Sequence, residues 1–148
     1  MANPPVVYVS RTESFSTAHR LHSPHLSDAE NAELFQKCNN PKGHGHNYKV
    51  EATVRAAVDP RTGMAINIAD LKRALQAVVA VVDHKHLDED IPYFADVVST
   101  TENVAVYLWR ELRDRLGPDA DNLYEITVHE TDKNHFRYRG ETASSSTT

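Results

Sequence analysis

From residue 46 to residue 58 the chain alternates apolar and polar side chains almost without a break, and few folds accommodate that. Tyr48, Val50, Ala52, Val54, Ala56 and Val58 share one parity; Lys49, Glu51, Thr53 and Arg55 share the other. A period of two over this length specifies a half-buried strand of an antiparallel sheet, one face on a core and the other polar. His44-Gly45-His46 leads into the strand. Residues two apart leave an extended backbone on the same side, so both imidazoles continue the apolar face. Gly45 carries no side chain to obstruct a metal or ligand. Two neutral imidazoles on one face supply two-thirds of the protein ligands of an open zinc site.

The remaining segments build a sheet-and-helix pattern around that strand. Residues 6–20 read as a second strand, in which Val7, Val9, Phe15 and His19 share a parity that Arg11 and Glu13 interrupt. Ser27-Asp28-Ala29-Glu30 has capping-box spacing and starts a short helix ending near Gln36. Asn39, Asn40, Pro41 and Gly43 mark an irregular loop. Residues 59–63 are turn chemistry, and 64–68 is expected to return as the hairpin partner of the 46–58 strand. Asn67 or Asp70 caps a helix running to about Val82, with Ile68, Leu71, Leu75, Val78, Val79 and Val82 at the helical period. A second capping box, Ser99-Thr100-Thr101-Glu102, opens another helix whose buried side is Val104, Leu108, Leu112 and Leu116; Gly117-Pro118 stops it. Residues 122–131 and 135–139 read as closing strands around a turn. The pattern is α+β, with both long helices on one sheet face. One domain spans 1–141, and 142–148 is a small, polar tail expected to be disordered. Unprotected sheet edges invite pairing between identical subunits that closes a barrel. The polar face is then either a wet barrel interior or an ordinary solvated surface.

Composition narrows the class. A chain of 148 residues, 40% apolar, suits one globular domain. No apolar run approaches the roughly 20 residues of a membrane span, and residues 1–5 lack the pattern of a signal peptide. One cysteine excludes an internal disulfide and fits a reducing, cytoplasmic setting. A net charge of −5 without a basic cluster argues against nucleic acid as partner.

His19, on the parity of Phe15, can join His44 and His46 as a third metal ligand. Cys38 is either a fourth ligand closing a structural site, an acidified thiol acting as base or nucleophile, or a buried inert cysteine. Structural sites generally use two or more cysteines, and the neighbours Lys37, Asn39 and Asn40 oppose burial. Asp83-His84 is either a histidine favoured by a helix C-terminus or a carboxylate–imidazole relay. Lys85, His86 and Asp88 read as solvated neighbours, and nothing singles out His22, His25 or His135. Glu130 continues the inward parity of Tyr124, Ile126 and Val128. Buried there it needs a partner, ideally a bidentate one such as an aminopyrimidine edge; if the strand has ended, it is solvated.

Phe15-Ser16-Thr17-Ala18-His19-Arg20-Leu21, Cys38-Asn39-Asn40-Pro41-Lys42-Gly43-His44-Gly45-His46-Asn47-Tyr48, Asp83-His84-Lys85, the run 92–103 and Glu130-Thr131-Asp132 together resemble the 6-pyruvoyl-tetrahydropterin synthase family. The resemblance implies the T-fold: an antiparallel four-stranded sheet with two long helices on one face, trimers closing a barrel, and two trimers stacked as a homohexamer. It implies a lyase of tetrahydrobiopterin biosynthesis, converting 7,8-dihydroneopterin triphosphate to 6-pyruvoyl-tetrahydropterin and triphosphate. By the same resemblance His19, His44 and His46 bind Zn2+, and Cys38 is the catalytic thiol. Asp83 and His84 form an acid–base pair from a neighbouring subunit, Glu130 anchors the pterin, and Thr100, Thr101 and Glu102 contact its ring. Arg20, Lys42 and Lys85 are candidates for the triphosphate, and the sequence does not rank them. Two other readings stand beside this one. In the related 6-carboxy-tetrahydropterin synthases of the queuosine pathway the cysteine lies closer to His-x-His, whereas five residues, Asn39 to Gly43, intervene here. A catalytically silent zinc-bearing assembly protein would not need Cys38, Asp83, His84 and Glu130 together.

Overall fold

The computed structural model describes residues 2–144. In chain order the elements are β1 (Val6–His19), α1 (Asp28–Phe35), β2 (His44–Ala57), α2 (Ile68–Val82), β3 (Lys85–His86), α3 (Leu87–Asp90), α4 (Thr101–Arg115), β4 (Leu123–His129) and β5 (His135–Tyr138). They form one sheet of order β3-β1-β2-β4-β5. The alternating strand is its spine. β2 pairs antiparallel with β1 from Val6↔Ala57 to His19↔His44, and on its other side with β4.

Both long helices cover the same face, α2 over β1 and α4 over β4 and β5. Tyr48, Val50, Ala52 and Val54 are wholly buried beneath them, meeting Leu71, Leu75, Leu108 and Leu112. Each such aliphatic side chain contributes about 1.5–3 kcal/mol when fully removed from water. The charged interruption of β1 lies under α2 and is paired. Arg11 Nη2 donates to Glu13 Oε1 at 2.7 Å, and Gln76 Nε2 donates to the same oxygen at 3.1 Å.

Several expectations are corrected. The sheet has five strands, not four. Residues 64–68 are not a strand: Asn67 caps α2, its side chain accepting from Ala69 N–H at 3.0 Å, so the chain turns straight into the helix. Ile68 consequently sits in the first helical turn, 47% exposed and outside the core. The fifth strand is β3, two residues pairing in parallel with Thr17 and Ala18 of β1, too short to leave a period in the sequence. The second helix cap lies one residue later than the capping-box spacing suggests. Thr100 is the N-cap, accepting from Asn103 N–H at 3.3 Å. The first capping box forms as expected, Ser27 and Glu30 exchanging both bonds. On β4 a register shift beside Thr53 and Val54 makes Leu123, not Tyr124, the inward residue. Tyr124 instead meets Tyr8 on the opposite face, ring centroids 5.0 Å apart. Beyond the shift Ile126 and Val128 point inward as the sequence parity requires. Of the expected tail, 142–144 is exposed without regular structure and 145–148 lies outside the described residues.

No described helix is long and apolar enough to cross a membrane. β3 covers only one end of β1's outer edge, so among the described residues no strand pairs with that edge from Val6 to Phe15. Val6 and Tyr8 on it are 45% and 55% exposed.

Candidate metal centre and active-site cavity

The pairing of β1 and β2 brings the three histidines together. His19 faces His44 directly and His46 pairs with Thr17, so all three imidazoles share the helix-covered face at the open end of the sheet. One ring nitrogen from each residue lies within 4.8 Å of the other two. His19 Nδ1 donates to the Ser99 carbonyl at 2.6 Å, which leaves Nε2 with its lone pair. That Nε2 is 3.1 Å from Nε2 of His44. A tetrahedral ion with nitrogens at about 2.0–2.1 Å separates them by roughly 3.3 Å, so the spacing suits a zinc-sized cation. Burial lowers the His19 pKa most, with the neighbouring His44 and His46 adding to it against the Ser99 bond. Burial and then His46 lower that of His44. Both shifts favour the neutral imidazole, the form that binds a metal ion.

Gly45 has a different role from the one its sequence position suggests. Alternation sends it to the face opposite the histidines, where a Cβ would meet only the Thr17 carbonyl at 3.6 Å. Gly43 is the glycine the centre depends on. Its φ is +78°, and a Cβ there would lie 2.8 Å from the His19 carbonyl oxygen.

A cavity of about 270 Å³ opens beside the cluster, lined by the three histidines together with Cys38, Glu130 and Thr101. Cys38 is half-buried on a 3-10 turn (Gln36–Asn39) tied to the end of β1 by Leu21 N–H donating to the Cys38 carbonyl at 2.8 Å. It lies outside the metal-ligating group formed by the described residues. Glu130 is half-buried and faces the cavity, its Oε2 accepting from the Thr101 hydroxyl. Thr100 and Glu102 line the same wall.

Asp83 and His84 are not brought to this cavity. They follow α2 to the outer side of the β1–β2 pair, where His84 lines a second, open cavity of about 630 Å³ with Ser16, Gly45, His46 and Asn47, and Asp83 holds His84 from beside it. His84 Nδ1 is 3.0 Å from Asp83 Oδ2. Asp83 Oδ1 accepts from Ser16 N–H at 2.9 Å, and His84 N–H donates to the Ser16 carbonyl at 2.6 Å. These bonds hold His84 at φ +60°, a left-handed conformation uncommon outside glycine. The Ser16 bond, and secondarily His84, keep the Asp83 carboxyl below the usual range.

Sequence reasoning missed the residues that support the centre. Ser99, read as a helix cap, aligns His19. Asn39, read as loop, is buried and donates from Nδ2 to the Leu21 carbonyl at 2.7 Å while its own carbonyl accepts from Arg20 Nε at 2.9 Å. Asp88, read as solvated, accepts the Arg20 N–H at 2.6 Å. Backbone acceptors and loop amides carry no period, so only their place in the quoted motifs hinted at a role for Ser99 and Asn39, and Asp88 lies outside those motifs.

An α+β subunit with three histidines placed to hold a metal ion, and a thiol and a carboxylate around the same cavity, has the parts of a metal-assisted enzyme. The family model described as 6-pyruvoyl tetrahydropterin synthase matches residues 8–141, and the chain belongs to that family. A 6-pyruvoyl tetrahydrobiopterin synthase of Poecilia reticulata is 58% identical over 143 residues, covering 94% of this chain and 96% of the relative. The Homo sapiens protein of that name is 58% identical over 134 residues, 90% and 91% of the two chains. The Caenorhabditis elegans 6-pyruvoyl tetrahydropterin synthase structure superposes with a TM-score of 0.92 at 48% identity, covering 95% of this chain and 100% of that one.

Proposed function

We propose that the chain is a zinc-dependent 6-pyruvoyl-tetrahydropterin synthase that converts 7,8-dihydroneopterin triphosphate to 6-pyruvoyl-tetrahydropterin with loss of triphosphate. The observation that carries the reading is one cavity lined jointly by the three histidines, Cys38 and Glu130. His19, His44 and His46 would hold the metal, which would supply Lewis acidity toward oxygens of the substrate's side chain and so acidify the C–H bonds next to them. Glu130, steadied by Thr101, accepts the paired N–H donors of the aminopyrimidine edge and fixes the pterin against the wall that carries Thr100 and Glu102. Cys38 takes up a proton on one face of the substrate side chain and, as the thiol so formed, can return it. Asp83 orients His84 and stabilises its imidazolium, so that the pair moves protons on another face.

The same geometry supports an assembly. His84, held by Asp83, and Cys38 line different cavities, so one chain does not unite them. A neighbouring subunit supplies the pair, and the free edge of β1 is a surface on which subunits can join into a barrel. A homohexamer of two trimers in the cytoplasm completes the proposal.

Incubating metal-loaded protein with dihydroneopterin triphosphate and identifying the product by mass spectrometry tests it. The pyruvoyl product with free triphosphate is expected. A carboxy-tetrahydropterin product, or unchanged substrate, contradicts it.

A further inference from the structure

The outer cavity offers more hydrogen-bond donors than the protein uses. Ser16 Oγ donates to Asn47 Oδ1 at 2.6 Å, so both N–H bonds of Asn47 Nδ2 remain without a partner among the described residues. His84 Nδ1 is engaged by Asp83 at 3.0 Å, which turns Nε2 away from that carboxylate. Lys85 is exposed, and its ammonium has neither a hydrogen bond nor an ion pair among the described residues. One carboxylate, Asp90, lines the cavity, and Asp83 adjoins it. Asp83 accepts from Ser16 N–H and His84, and Asp90 Oδ2 accepts from His86 N–H at 2.8 Å. Unpaired donors and a free cation around about 630 Å³ of open space suit an anion with many oxygen acceptors.

We propose that this cavity seats the substrate's triphosphate, with Lys85 as its anchoring cation and Asn47 as a second donor. The inference rests on the substrate named above and assigns its phosphate end to the subunit that contributes Asp83–His84. Lys85 is fixed next to that pair by β3, with Thr17 Oγ1 donating to the Lys85 carbonyl at 2.6 Å. The other two candidates fit poorly. Arg20 donates from Nε to the Asn39 carbonyl at 2.9 Å and lines a different cavity with three carboxylates, Asp88, Glu89 and Asp96, against the single Asp90 of the outer one, so it repels an anion more strongly. Lys42 lines neither the metal cavity nor the outer one.

Inorganic triphosphate is the probe, titrated calorimetrically into the purified zinc-loaded oligomer, so the measurement needs no turnover. Lys85→Ala should weaken binding by about tenfold or more, the scale of one lost charge-assisted hydrogen bond. Asn47→Ala should weaken it less, Lys85→Arg should restore it, and Lys42→Ala should leave it unchanged. KM for the triphosphate substrate should rise in Lys85→Ala with zinc content intact. Unaltered triphosphate affinity in Lys85→Ala overturns the assignment, as does a loss confined to Lys42→Ala, even if the pyruvoyl product forms. If triphosphate binds through Lys85 but no pyruvoyl product appears, the cavity assignment stands and the reaction is wrong.

Discussion

At the scale of single residues, the Ser99 carbonyl takes the Nδ1 proton of His19 and so decides which nitrogen of a buried imidazole is free to bind metal. Among the described residues His19, His44 and His46 form the group placed to hold a metal ion, and Cys38 stands outside it. Elemental analysis should therefore find near-stoichiometric zinc per chain, lost when His19, His44 or His46 is replaced by alanine. Full metal retention in all three variants would contradict the site. Cys38→Ala should keep its zinc and its fold but lose at least about a hundredfold in turnover, the scale of a missing general base. Metal loss in that variant would make the thiol a ligand, and undiminished turnover would remove it from the chemistry. Asp83 gives a pH prediction. Its folded pKa lies below the ordinary value, so its contribution to stability is present above the unfolded pKa and is lost as pH falls through the lowered folded one. Because the Ser16 N–H is the largest cause, the carboxyl titration followed by NMR in His84→Ala should still show a midpoint below that of free aspartate. A midpoint at or above the free value would assign the shift to His84 instead.

At the scale of elements, the helices are tied to the sheet by a few fully buried side chains. Leu108, at zero exposure beneath α4, makes the point: Leu108→Ala should cost about 2–5 kcal/mol by denaturant unfolding. A cost under about 0.5 kcal/mol, typical of a surface position, would contradict the packing of α4 on the sheet. Elements with a strong period were legible in the sequence: β1, β2, α2 and α4 lie within a few residues of their expected places, and three ligands with shared parity converge as read. What was hidden had no period to read. β3 is two residues long, the β4 bulge adds one residue without changing composition, and residues 64–68 carry apolar side chains that suit a strand and a helix entry equally. The site followed the same division. Its histidines were set by strand alternation, whereas the separation of Asp83–His84 from Cys38 depends on how α2 returns past Ser16, a tertiary path the sequence does not encode locally.

At the scale of the molecule, one chain lines two separate cavities: the three histidines, the thiol and the glutamate surround one, and His84 with Lys85 lines the other, the two sharing only His46; in the proposed reading each is a half-site. Each half lacks what the other holds, so the central claim is that catalysis takes place only where two chains meet. Cys38→Ala and His84→Ala proteins should each be inactive alone. Unfolding them together and reassembling them at equal amounts should create sites that combine an intact Cys38 from one chain with an intact His84 from another. Random mixing regenerates about a quarter of the sites in a symmetric oligomer with independent sites. Measuring turnover of the reassembled mixture, with subunit exchange verified by native mass spectrometry, tests the claim directly. Recovery approaching a quarter of wild-type activity is the predicted result, and no recovery from fully exchanged oligomers would place the whole catalytic set within a single chain.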